Sequence, residues 1–96
     1  MNYYNIGASA ERIRSLRKEF GYTQEQFAEL LGMERSFLSR IESGKKGCSV
    51  DTFARISALF SVSLDYLILG QNQETPLIRD ELKHVIAELN SICKKL

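Results

Sequence analysis

Apolar residues in this chain recur at spacings of three and four, and no stretch sustains the period-two alternation expected of a half-buried strand. Ile6, Ala10, Ile13, Leu16 and Phe20 predict a first helix over about residues 6–20. Asn5 or Ser9 is placed to cap it, and Gly21 stands where a left-handed residue closes a helix. Thr23 and Gln26 have the spacing of a capping box and open a second helix. Its inner side is expected to hold Phe27, Ala28, Leu30 and Leu31, and Gly32 ends it. A third helix is expected from about Arg35 to Ser43, with Leu38 and Ile41 inward and Gly44 as its terminator. Ser49 caps a fourth, helped by Asp51 in the first turn, where a negative charge suits the helix dipole. That helix should bury Phe53, Ile56, Leu59 and Phe60. Ser63 caps a short fifth helix that stops at Gly70. After a polar stretch, Thr75 as cap and Pro76 at the first helical position open a last helix.

The second and third helices carry the most specific signal. A sharp turn between two helices needs a residue without side-chain hindrance, which Gly32 supplies. Close approach of the two needs a small side chain, which Ala28 supplies. Phe27, Leu31, Met33, Leu38 and Ile41 are apolar at positions that lock the angle. The outer stripe of the third helix then holds Arg35, Ser36, Ser39 and Arg40, side chains able to meet base edges in a DNA major groove.

Gln24, Ala28, Gly32, Leu38 and Ile41 fall at the spacing of the helix-turn-helix in phage lambda-type repressors, the Cro/repressor superfamily or XRE family. The resemblance continues through Ser39-Arg40-Ile41-Glu42 with Gly44-Lys45, and through Val62 to Leu67, and it covers about residues 6–70. It implies a five-helix lambda repressor-like DNA-binding domain over 1–70; the polar stretch and the helical periodicity beyond it add a linker over 71–75 and a C-terminal amphipathic helix over 76–96, which makes the chain all-α. The resemblance also implies roles. Arg35 and Ser36 lie in the first turn of the recognition helix, with Ser39 and Arg40 one turn later on the same face. Arginine suits guanine, whose O6 and N7 its planar fork meets together, worth roughly 1–3 kcal/mol of discrimination. Thr23, Gln24, Phe37, Ser43, Lys45 and Lys46 are the expected backbone contacts, with Phe37 placed for the sugar-phosphate or a thymine methyl. Arg17 and Glu42 match a buried ion pair that joins the first helix to the end of the recognition helix. One departure stands out: the recognition-helix cap is Glu34 where the family usually has Ser, Thr or Asp, so the helix start could shift by a residue.

In the last helix Ile78, Leu82, Val85, Leu89, Ile92 and Leu96 follow spacings of 4, 3, 4, 3 and 4, a heptad seam. Leu77, Ile86 and Cys93 widen it to one side, and His84 is an ordinary surface or rim residue. The helix can pair with its copy or fold back onto the domain. Pairing is the expected use, because two recognition helices must meet half-sites some 34 Å apart.

Charge narrows the picture. Residues 1–70 carry nine Lys/Arg and eight Asp/Glu, and residues 71–96 carry four of each, so no global field draws the chain to DNA. Positive charge must act locally, and one copy alone should bind weakly. Cys48 and Cys93 form no CxxC pair, and with a single histidine no metal set is expected; the thiols should be free. No cofactor is expected, nor a nucleophile–base set, paired acids or a phosphate loop of an enzyme. Neither a membrane span nor a signal peptide is expected, which gives a cytoplasmic protein. The resulting expectation is a homodimeric transcriptional repressor on palindromic double-stranded DNA, with a protein or peptide effector possible at the last helix. The alternatives are the DNA-binding antitoxin of a toxin–antitoxin pair and a helical interaction module without DNA binding.

Overall fold

The computed structural model describes residues 3–71 and 77–95, with side chains described for 3–71 and 82–94. Six helices follow one another: α1 (Ile6–Glu19), α2 (Gln24–Leu31), α3 (Arg35–Glu42), α4 (Val50–Phe60), α5 (Leu64–Leu69) and α6 (Leu77–Lys95). No strand occurs among the described residues. The starts of α1, α2, α4 and α5 are set by short polar side chains that take over orphan amides of the first turn, each worth about 1 kcal/mol. Asn5 Oδ1 accepts from the amide of Ala8 at 2.9 Å, Ser49 Oγ from Thr52 at 3.1 Å and Ser63 Oγ from Tyr66 at 3.0 Å. At α2 the capping box is complete: Thr23 Oγ1 accepts from the Gln26 amide at 3.1 Å, and Gln26 Oε1 accepts from the Thr23 amide at 2.8 Å. The expected caps of Thr75 and Pro76, residues 72–75 of the linker, the side chain of Ile78 and all of Leu96 lie outside the described residues.

Asn5, and not Ser9, is therefore the cap of α1. Ser9 is buried, and its hydroxyl donates to the carbonyl of Leu67 at 2.8 Å. Arg12 donates to the carbonyls of Leu67 and Ile68, both at 3.2 Å. Two side chains of α1 thus close the carbonyl end of α5, which α5 cannot satisfy by itself.

The core gathers Ile13, Leu16, Phe20, Phe27, Leu31, Leu38, Ile41, Phe53, Ile56, Phe60, Val62 and Leu67 from α1 to α5. Phe60 lies at its centre, with ring centroids 4.5 Å from Phe20 and 5.3 Å from Phe27. Truncating such a ring to alanine costs on the order of 3–5 kcal/mol. Ala28 is buried and Met33 half-buried at the α2–α3 angle, as their positions predict. Gly32 makes the turn in a left-handed conformation at φ 69°. Leu30 departs from the expected pattern and is 50% exposed. At 100° per residue it lies well off the face centred on Phe27 and Leu31, so apolar character alone misplaced it.

α6 packs against the end of α1. Ile86 rests against the core, and Asn90 Nδ2 donates to the Phe20 carbonyl at 2.8 Å. The α6 backbone comes so close to Gly21 that a Cβ there would stand 3.2 Å from Ala87 Cα, and φ at Gly21 is 77°. Fold-back therefore occurs, and it uses Ile86, which periodicity had assigned to the margin of the seam. The seam residues Leu82, Val85, Leu89 and Ile92 remain 38–55% exposed.

Candidate nucleic-acid interface

The shape of α3 decides which side chains can reach a ligand. Leu38, Ile41 and Glu42 are buried, while Arg35, Ser36, Phe37, Ser39 and Arg40 are exposed. Five residues of an eight-residue helix thus point away from the core, with Ser36 and Arg40 nearest the middle of the free face. Glu34 makes no side-chain cap bond, as its chemistry predicts, yet the helix still begins at Arg35. The Glu34 carbonyl accepts from the amides of Phe37 and Leu38, both at 3.1 Å, and the α2 turn fixes the approach. The register of Arg35 is thereby settled.

The orientation of α3 is held from below. Arg17 Nε donates to Glu42 Oε2 at 2.8 Å and Oε1 at 3.1 Å, and Arg17 Nη1 donates to the Tyr22 carbonyl at 2.9 Å. Both side chains are almost fully enclosed. A carboxylate in the last turn of a helix faces the negative end of its dipole, so Glu42 needs this cation. Desolvation offsets much of the attraction, and the pair serves mainly to fix α1, α2 and α3 in one arrangement. Gln24 joins it: its Nε2 donates to Glu42 Oε1 at 3.1 Å. One amide proton of Gln24 is thus committed inside the protein, and only the other remains for a phosphate.

The remaining expected contacts are arranged around this centre. Thr23 Oγ1 serves as the α2 cap acceptor, which leaves its proton to donate outward. Ser43 Oγ donates to the Arg40 carbonyl at 3.1 Å, so it is occupied within the loop. The same carbonyl accepts from the amides of Lys45 at 3.0 Å and Lys46 at 3.2 Å, which wraps the basic loop under the end of α3. Lys46 Nζ then sits 5.0 Å from the Phe37 ring centroid, and Phe37 is 39% exposed. Phe37 is therefore part of the outer surface, flanked by a cation, and not a core residue.

Sequence reasoning missed Arg14. It is exposed on α1 and, with Gln24, Ser39, Ser43, Arg17 and Glu42, lines a cleft of about 220 Å³ beside the exposed face of α3. The Glu42 charge is matched by Arg17, so Arg14 leaves the cleft with a net positive charge. Among the described residues Arg14 has neither an ion pair nor a side-chain hydrogen bond. A second cleft, lined by Arg17, Thr23, Gln24, Glu25 and Arg35, flanks the other side of the α2 start. Together they form a concave rim of hydroxyl, amide and guanidinium donors around the exposed face of α3, which is chemistry for a polyanion. No group of three or more His, Cys, Asp or Glu able to hold a metal occurs among the described residues. No helix there is long and apolar enough to cross a membrane.

Comparison with known proteins agrees with this geometry. Residues 13–67 match the helix-turn-helix family profile. The chain is 32% identical over 83 residues to the HTH-type transcriptional regulator ImmR of Bacillus subtilis, covering 82% of this chain and 65% of ImmR. It is 34% identical over 77 residues to the HTH-type regulator YqaE of the same organism, covering 80% of this chain and 66% of YqaE. It thus spans about two thirds of the length of these relatives. Among solved structures, a transcriptional regulator from Listeria innocua superposes with a TM-score of 0.62 at 30% identity, over 86% of this chain and 76% of that one. The restriction-modification controller protein C.AhdI of Aeromonas hydrophila superposes with a TM-score of 0.59 at 25% identity, over 66% of this chain and 96% of that one. The fold and the α2–α3 unit define a helix-turn-helix protein. The chain belongs to the helix-turn-helix family, of the XRE type.

Proposed function

We propose that this chain is a sequence-specific DNA-binding transcriptional regulator that acts as a homodimeric repressor on a two-fold symmetric operator. The observation that carries the reading is the free face of α3, with Arg35, Ser36, Ser39 and Arg40 exposed while Glu42 beneath is clamped by Arg17 and Gln24. A rigid helix with a polar outer stripe is suited to direct readout in the major groove. Arg40 and Ser36 take the base edges, with Arg35 and Ser39 at the margins. Thr23, the free amide proton of Gln24, Lys45, Lys46 and Arg14 meet phosphates, and Phe37 lies against a sugar or a thymine methyl. Repression follows from occupying the operator and excluding polymerase.

The outward seam of α6 supports the dimer. Leu82, Val85, Leu89 and Ile92 form one exposed apolar strip on a helix whose other side is already seated on its own domain. The strip also suits a partner of another kind, as an antitoxin or adaptor would need, and sedimentation of the isolated chain separates the two. Titrating a random-sequence duplex into the chain across a salt series tests the DNA reading. Binding should weaken steeply as salt rises, because counterions are released from phosphates. Absence of duplex binding at low salt would leave only the interaction-module reading.

A further inference from the structure

α6 divides its surface between two jobs, and the division has a consequence for DNA site choice. With 100° per residue, Leu82, Val85, Leu89 and Ile92 centre on one line of the helix. Ile86, Ala87 and Asn90 centre on another, roughly a third of a turn away. The second line is joined to the turn between α1 and α2. Asn90 Nδ2 donates to the Phe20 carbonyl at 2.8 Å, the α6 backbone lies against Gly21, and Ile86 reaches the core. Phe20 and Gly21 immediately precede Tyr22, whose carbonyl accepts from Arg17, the residue that holds Glu42 at the end of α3. A short chain of direct contacts therefore links α6 to the recognition helix.

We infer that Asn90 and Ala87 are positioning residues which make α6 a rigid strut, so that the joint at Phe20 and Gly21 fixes the half-site spacing the dimer accepts. This rests on the dimer proposed above and adds what sets its geometry. If the helix were tied to its domain only through residues 71–76, each recognition helix could adjust to its own half-site. With the joint in place, the angle and distance between the two recognition helices are set by helix packing. Adding one base pair between half-sites moves them about 3.4 Å apart and rotates them by about 35° relative to each other. A strut cannot follow that change, and the bivalent gain, on the order of a hundredfold or more, is lost when both sites cannot be engaged together.

Asn90→Ala removes the hydrogen bond to Phe20, and Ala87→Leu wedges the helix from Gly21. Neither residue belongs to the seam or to the DNA-facing side chains. The full-length parent and both variants are compared by sedimentation, by binding to a single half-site duplex, and by binding to operators whose central spacer is shortened or lengthened by one and two base pairs. The parent should be a dimer with one sharply preferred spacer. The variants should remain dimers with parental half-site affinity while the spacer preference flattens to within about threefold, because a loosened strut lets both half-sites be engaged at several spacings. Variants that keep the parent's sharp profile would overturn the inference. A parent that sediments as a monomer would remove the dimer and this joint's role with it, while half-site binding by that monomer would leave the DNA reading standing.

Discussion

Two amphipathic helices carry the external work proposed for the molecule, and they are held in opposite ways. α3 is eight residues long, poorly capped, and fixed by contacts from α1 and α2: the core residues Leu38 and Ile41, and the enclosed Arg17–Glu42 pair. α6 is 19 residues long and touches its own domain along one line, leaving a second apolar line open. A short recognition helix gains its order from tertiary contacts, because so few turns are marginal in isolation. A long helix keeps its own order and can offer an apolar face to a second surface. In the proposed function the contrast separates readout, which needs a rigid and polar outer face, from assembly, which needs an apolar one.

The strongest way to break the contrast is to remove the support of α3. Glu42→Ala leaves Arg17 buried and unpaired, and should lower stability by about 3–5 kcal/mol, read as a large fall in melting temperature. An unchanged melting temperature would mean that the pair does not hold α3. On the α6 side, the double change Val85→Glu and Leu89→Glu should leave the melting temperature of the five-helix core nearly unchanged. It should abolish the dimer in sedimentation and lower operator affinity by about 10²–10⁴, the loss of bivalency. A dimer that survives would show that the open line is not its interface.

Smaller effects sharpen the contrast. Arg40→Ala should cost roughly 1–3 kcal/mol at one position per half-site and relax the sequence preference there alone. Arg14→Ala should weaken all duplexes to the same degree and reduce the salt slope by about one per protomer, with no change in preferred sequence. A sequence-dependent loss at Arg14 would move that residue from phosphate contact to readout. The smallest effect is chemical. Burial pushes the Cys48 thiol up to about 11, so its thiolate fraction at neutral pH is about a hundredfold below that of an ordinary thiol. Cys93 is exposed, and mass spectrometry after brief alkylation at neutral pH should find it modified well before Cys48. The same shift makes folding slightly less favourable above pH 9, where an unfolded thiol ionises and the folded one does so only near pH 11.

Much of this arrangement was legible in the residues. Thr23 with Gln26, Ser49 and Ser63 announced helix starts because capping is local chemistry, decided within four residues. Gly32 announced the turn for the same reason. The Arg17–Glu42 contact was legible only through resemblance, since 25 residues separate the partners and no local rule joins them. Leu30 and Ile86 show where periodicity stops. An apolar residue at the margin of a stripe can face solvent, as Leu30 does, or a second surface, as Ile86 does, and spacing alone does not distinguish the two. Arg14 and the commitment of Gln24 to Glu42 needed the packing of α1 against α3, which brings distant side chains to one cleft.

Selection of bound duplexes from a random pool, followed by sequencing, tests the central claim most directly. The account predicts enrichment of a two-fold symmetric site with half-sites about one helical turn apart, and loss of preference at one position per half-site with Arg40→Ala. Recovery of an unenriched pool, or of a motif indifferent to Arg40, would contradict it.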